Sequence, residues 1–342
     1  MTSIALFNNK GGVGKTTLVY HLAHMYQRLG RRVLAVDLDP QANLTSMFLD
    51  ENDLAYLWDE TDSTFQLQPA LFSNLPSQSP GTIAEAVTPI IEGTGDVELM
   101  APTEIVEGLS LLPGDLELSR FEDELSQSWG RNFNGDPKAL RATTAFYRII
   151  QSARREIVPD VTLIDIGPNL GAINRAALLS SDTVLMPLAA ELFSLRGLRN
   201  LGPTLRQWRK DWRELVVPRA PQQIEVPAGT MTPLGYVIMQ PTVRLDRPVQ
   251  AYQRWLERIP LVYDKFVLGN EPPSAKPTHE IATIRNYRSL MPLAHDARKP
   301  MFELRPADGA MGSTQAYVQT CRSEFEDLTR KVDARLAGLL RE

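Results

Sequence analysis

Lys10-Gly-Gly-Val-Gly-Lys-Thr-Thr17 decides the fold. It lies between a short apolar run, Ser3–Asn8, and a stretch, Lys15–Leu29, in which Leu18, Leu22, Tyr26 and Leu29 recur at helical spacing before the stop residue Gly30. A strand, a glycine loop and a helix in that order form a phosphate-binding loop. Glycines let backbone N–H groups turn inward and approach a phosphate closely. The helix beginning near Lys15 adds the positive end of its dipole. On this reading Lys10, Gly11, Gly12, Val13, Gly14, Lys15, Thr16 and Thr17 hold nucleotide phosphates. Lys15 reaches the β- and γ-phosphates, and the Thr16 hydroxyl ligates Mg2+.

Outward from the loop, Arg32–Asp37 reads as a second strand, giving a βαβ start that favours a parallel sheet with helices on both faces. Further strands are expected at Val97–Ala101, Ser110–Leu112, Val161–Ile166, Thr183–Pro187 and Leu234–Met239. Helices are expected at Leu140–Glu156, Gly171–Leu179, Ser194–Leu215 and Ser313–Leu340. The expected fold class is α/β, a doubly wound, mostly parallel sheet flanked by helices. Residues 1–342 read as a single domain with insertions at 50–80, 216–233 and 244–277. The first is acidic and then rich in Ser, Gln and Pro, and proline clusters mark the other two.

Composition narrows the function classes. The chain has 342 residues, 43% apolar and 23% charged, an ordinary globular make-up. One cysteine, Cys321, excludes a disulfide framework and a Cys-ligated metal site within one chain. With no signal-peptide pattern at the start and no apolar run near the ~18 residues that span a bilayer, a cytoplasmic protein without membrane attachment is expected. The net charge of −5 is unevenly spread. Residues 33–119 contain 16 acids and no Lys or Arg, leaving 36 bases against 25 acids elsewhere. A basic surface is therefore compatible with an acidic total.

The early Lys10, with Asn9 where a standard phosphate loop has Gly, resembles the deviant Walker A ATPases of the ParA/MinD type. In that group the early lysine contacts phosphate across a dimer interface, where it can neutralise charge developing during phosphoryl transfer. Val33-Leu-Ala-Val-Asp-Leu-Asp-Pro-Gln-Ala-Asn43 looks like the group's second motif, in which Asp39 orients or activates the attacking water. Val161-Thr-Leu-Ile-Asp-Ile-Gly-Pro168 looks like Walker B. The resemblance implies catalysis by Lys10, Lys15 and Asp39, and Mg2+ on Thr16, Asp39 and Asp165, partly through water. Gly167-Pro168 would start the loop that senses the γ-phosphate. Leu109–Leu118, Asp182–Pro187 and Arg285–Pro300 also look family-like. Gln240-Pro241 stands where the adenine site is expected, although the group often has Asn or a Thr-like residue there.

The implied activity is slow hydrolysis of ATP to ADP and phosphate, with ATP closing a homodimer and hydrolysis reopening it. One cysteine does not support the iron–sulfur branches of the group. In the last helix Val318, Cys321, Phe325, Leu328, Val332 and Leu336 form a stripe opposite mixed charges, which favours a core-packed helix over a membrane anchor. Non-specific DNA is the favoured partner. Along Ser194–Leu215, Arg196, Arg199, Arg206, Arg209, Lys210 and Arg213 fall on one arc, while Leu198, Leu201, Leu205, Trp208 and Trp212 fall on the other. A charged solvated helix face is the plain alternative, and Asp211 and Glu214 dilute the cluster. The resemblance implies plasmid or chromosome partition with a ParB-like or other adaptor. The alternative is a regulatory or positioning ATPase that acts through a protein partner without DNA.

Overall fold

The computed structural model describes residues 2–58, 79–239, 249–274, 278–287 and 289–339. In chain order the elements are β1 (Thr2–Leu6), α1 (Lys15–Arg28), β2 (Val33–Asp37), α2 (Asn43–Phe48), α3 (Glu51–Leu57), α4 (Ile83–Glu92), β3 (Thr103–Val106) and β4 (Leu109–Leu112). Then come α5 (Phe121–Asn132), α6 (Pro137–Thr143), α7 (Ala145–Ile157), β5 (Val161–Asp165), α8 (Ala172–Leu179), β6 (Thr183–Leu188), α9 (Leu192–Asp211) and β7 (Thr232–Met239). The last are α10 (Val249–Val262), β8 (Glu280–Ile284), α11 (Met291–Ala297) and α12 (Ser313–Leu339).

The strands form one sheet in the order β3-β4-β2-β5-β1-β6-β7-β8. Only the β3–β4 pair is antiparallel. Strands buried on both faces need apolar residues at consecutive positions, and β1 and β2 have them. Ala5, Leu34 and Val36 face a core shared with α4–α9. Ile4, Leu6, Val33 and Ala35 face a second core shared with α1, α11 and α12. The sheet is thus doubly wound, as its strand-by-strand apolar runs imply.

Register positions the site. In the parallel ladders Asp165 lies level with Leu6 on one side and with Asp37 on the other. The carboxyl ends of β1, β2 and β5 therefore meet at one edge, where ligands bind in open α/β sheets.

Several expected boundaries differ. Val97–Ala101 is not a strand. The edge strand comes later, at Thr103–Val106, where a turn through Gly108 (φ 82) folds it back on β4. The helix expected over Leu140–Glu156 is two, α6 and α7, divided at Thr144, whose hydroxyl bonds the Leu140 carbonyl at 2.7 Å. The helix expected over Ser194–Leu215 stays α-helical to Asp211 and then widens into a π-type turn, Trp212–Val216. Of the expected insertion 244–277, α10 and the turn after it pack against α9, burying Ile259, Tyr263 and Val267. Segment 216–233 packs too, with Ile224 and Met231 buried. In α12 Val318, Cys321, Phe325, Leu328 and Val332 are buried, and Leu336 is packed at the margin of the same core. Among the described residues, no helix is long and apolar enough to cross a membrane.

Candidate nucleotide site and cationic groove

The loop after β1 turns through Gly12 (φ 71) and Gly14 (φ 86), left-handed conformations that favour glycine. The α1 helix starts immediately after them and has no acidic residue in its own first turn, so the positive end of its dipole faces the loop. Asn9 needs room: a Cβ at Gly197 of α9 would sit 2.5 Å from the Asn9 side-chain oxygen. The departure from the usual glycine at position 9 is thus matched by a glycine on the neighbouring helix. Asn8 steadies the loop from below, donating to the Pro187 carbonyl at 2.7 Å and accepting from the Lys10 N–H at 3.2 Å.

Lys15, Asp37, Asp39 and Asp165 come together at this edge, all buried. Burial pushes the Lys15 ammonium down from its ordinary value, while Asp165 and Asp39 pull it back up. Asp165 is fully buried, and neither carboxylate oxygen has a hydrogen-bond partner among the described residues. Its carboxyl is held well above the usual range, first by burial and then by Asp37, with the nearby Thr16 hydroxyl and Lys15 acting the other way. An ionised carboxylate left dry and unpaired is costly. A divalent cation on phosphate oxygens would relieve that cost, so the Thr16–Asp165 pair fits Mg2+, and the loop with Lys15 fits the phosphates of ATP.

Sequence reasoning missed four residues here. Asp37 holds the segment after Asp39: it accepts from the Thr45 N–H and hydroxyl at 2.8 Å each, and from the Asp39 N–H at 3.2 Å. Burial raises it to about 6, against the pull of the Thr45 bonds. Thr45 in turn accepts from the Gly114 N–H at 2.8 Å. Asp37 stood inside the quoted second motif, but its hydrogen-bond partners lie outside it. Glu191, which precedes α9, pairs with Lys10. Glu122 of α5 caps α8, accepting from the Ala172 and Ile173 N–H groups.

Asp39 lies across from the β5 loop: a Cβ at Gly167 would be 3.4 Å from an Asp39 carboxylate oxygen. Gln240 and Pro241, the expected adenine contacts, lie outside the described residues.

The basic arc of α9 is only partly uniform. Arg206 turns inward and bonds the Phe266 carbonyl, and the Arg199 guanidinium lies 5.5 Å from the centre of the Phe266 ring. Arg206, Arg209, Lys210 and Arg213, with Glu214, line a groove of about 450 Å3. Burial, with Arg213 and Arg206 adding to it, lowers the Arg209 guanidinium from its ordinary value, a sign that like charges are crowded. Arg196 is exposed near the start of the helix, away from the groove. The arc divides because α10 and its following turn cover one flank of α9.

A family model described as an AAA domain matches residues 1–216. The chain is 33% identical over 207 residues to the chromosome-partitioning ATPase Soj of Thermus thermophilus, covering 60% of this chain and 62% of that protein. It is 30% identical over 208 residues to the sporulation initiation inhibitor protein Soj of Bacillus subtilis, covering 60% and 66%. The chain therefore spans less than two thirds of these relatives. Among solved structures, protein DIP2308 from Corynebacterium diphtheriae superposes with a TM-score of 0.69 at 22% identity, over 98% of this chain and 99% of that one. The fold likeness thus continues through the C-terminal part, which the family model does not cover. The chain belongs to the AAA domain family, and its phosphate-loop domain is of the ParA/MinD type.

Proposed function

We propose that the chain is an ATP-driven dimerising switch that hydrolyses ATP to ADP and phosphate and binds non-specific duplex DNA in its ATP state, in plasmid or chromosome partition. Lys15 and the backbone of Gly11–Thr17 hold the phosphates. Thr16 and Asp165, with Asp39, hold Mg2+, which supplies positive charge at the phosphate oxygens. Asp39 positions the attacking water. Lys10 leaves Glu191 to neutralise developing charge on a phosphate in the facing subunit. Two copies pair through the phosphate-loop face, where Phe193 is 67% exposed beside Lys10. The protein works in the cytoplasm, on the nucleoid, with a ParB-like or other adaptor.

The groove at the end of α9 carries the DNA part of this reading. Four cations converge there with one acid, and among the described residues none of Arg209, Lys210 and Arg213 has an ion-pair partner. Unpaired cations crowded at a surface gain by displacing counterions from a phosphate backbone. Dimerisation doubles the number.

The test is a titration with non-specific duplex in Mg-ATP, in Mg-ADP and with Asp39→Ala in Mg-ATP, at several salt concentrations. Tight binding in the two ATP states, weakening with salt by about 0.9 in log–log slope per phosphate neutralised, is expected. Binding that is equal in all states, or absent, overturns the DNA reading. ATP-dependent dimerisation that persisted without DNA binding would then point to a protein partner.

A further inference from the structure

We propose that Arg175 is a positioning residue that couples the loop after Asp165 to the cationic groove on α9, acting through Trp129, Trp208 and Trp212. The proposal rests on the reading of that groove as the DNA face.

The connection starts at the loop itself. Asn174 of α8 holds the loop from both sides, accepting from the Gly167 N–H at 3.1 Å and donating to the Gly167 and Asn169 carbonyls at 2.9 and 2.8 Å. The α8 helix has no capping side chain of its own. Glu122 of α5 supplies the cap, accepting from the Ala172 and Ile173 N–H groups at 2.6 and 2.9 Å with separate oxygens. A carboxylate at a helix N-terminus is favoured by the open N–H groups and the helix dipole. Any shift of Gly167–Gly171 therefore moves α8, and α5 with it.

The next residue on α8 passes that motion outward. The Arg175 guanidinium lies 4.2 Å from the centre of the Trp129 ring on α5 and 5.6 Å from that of Trp208 on α9. Trp129 stacks on Trp212, with centroids 6.3 Å apart and planes 10° from parallel. Trp212 is fully buried and donates its ring N–H to the Pro227 carbonyl at 2.8 Å. Burial lowers the Arg175 guanidinium to about 10, opposed by Glu122. A cation so desolvated depends on its aromatic partners, because the contact strengthens as water is removed. Arg175 thus holds three helices to one geometry. Trp208 immediately precedes Arg209, and Trp212 immediately precedes Arg213, so a shift of the tryptophans re-aims the groove cations. Both ends of this chain of contacts have a discrete change to respond to: occupation of the phosphate site at one, duplex binding at the other.

The experiment compares wild type, Arg175→Lys and Trp129→Phe as full chains. Two quantities are measured: the change in tryptophan emission between Mg-AMPPNP and Mg-ADP, and the ratio of duplex affinities in those two states. Lysine keeps the charge but not the planar face that stacks on indole. Arg175→Lys should bind AMPPNP within about twofold of wild type, lose most of the nucleotide-dependent emission change, and bring the affinity ratio about tenfold closer to one. Trp129→Phe keeps an aromatic face and should retain an affinity ratio within about threefold of wild type. Arg175→Lys with a wild-type emission change and a wild-type ratio overturns the coupling, as does a wild type whose emission does not respond to nucleotide. A wild type that binds no duplex in any state overturns the DNA reading instead, and the emission arm still decides the coupling.

Discussion

His24 shows how a buried ionisable side chain far from the chemistry sets a pH limit. It packs between Tyr20 and Phe48, with centroids 4.6 and 5.5 Å away, and its Nε2 has no hydrogen-bond partner among the described residues. Burial, with His21 beside it, pushes it down to about 3. His21 falls to about 4 for the same first cause, although its Nδ1 lies 2.7 Å from the Thr17 carbonyl and its Nε2 accepts from the Met301 N–H at 3.1 Å. Both folded values lie below the ordinary 6.5, so the unfolded chain binds the protons first. Their stabilisation is complete above about pH 6.5 and falls by about 1.4 kcal/mol per pH unit per histidine as the pH drops toward those values. Asp37, raised to about 6, acts in the opposite sense between about pH 4 and 6. His24→Phe should therefore unfold in urea within about 1 kcal/mol of wild type at pH 7.5 and lose less stability by pH 4.5. Parallel losses in the two proteins would rule out His24 as a source of acid sensitivity. At this scale the sequence announced Lys15, Asp39 and Asp165, because their motifs are contiguous. It was silent on Glu122, Thr45 and Glu191, whose partners lie far along the chain.

At the scale of elements, α9 was legible as a helix with a core side and a basic side, but its flank was not. The turn after α10 lies directly on it. A Cβ at Gly202 would fall 2.5 Å from the Phe266 carbonyl carbon and 2.8 Å from the Val267 Cα, neither of which can move as a side chain tip could. Gly202→Ala should cost about 1–3 kcal/mol by overpacking, although alanine is the better helix former. Calorimetry should show a Tm several degrees lower. An unchanged or raised Tm would mean that the α9–α10 contact is looser than described. The misplaced early strand has a related cause. Val97–Ala101 has strand-like composition, but the Glu98 N–H bonds the Ala86 carbonyl on α4 rather than a neighbouring strand. Composition suggests extension, and only a partner strand makes a ladder.

The whole molecule is a switch only if two copies meet. Lys10 is parked on Glu191 within its own chain, and the exposed Leu192 and Phe193 sit at the same edge. Light scattering should report a 38.2 kDa monomer without nucleotide and twice that mass for Asp39→Ala in Mg-ATP, with Lys15→Ala remaining monomeric under both conditions. A monomer in every state would refute the dimer.

Local spacing determined the glycine loop after β1, the strand-ending aspartates and the doubly wound class, because each depends on residues adjacent in the chain: glycines where φ is positive, apolar runs where both faces are buried. Tertiary structure alone decided which cations stay free and which are used. Arg206 is spent on a carbonyl 60 residues away, Arg175 is enclosed by tryptophans from two other helices, and Glu122 caps a helix 50 residues on. Pairings over such distances are set by how the layers pack, and no local pattern encodes them.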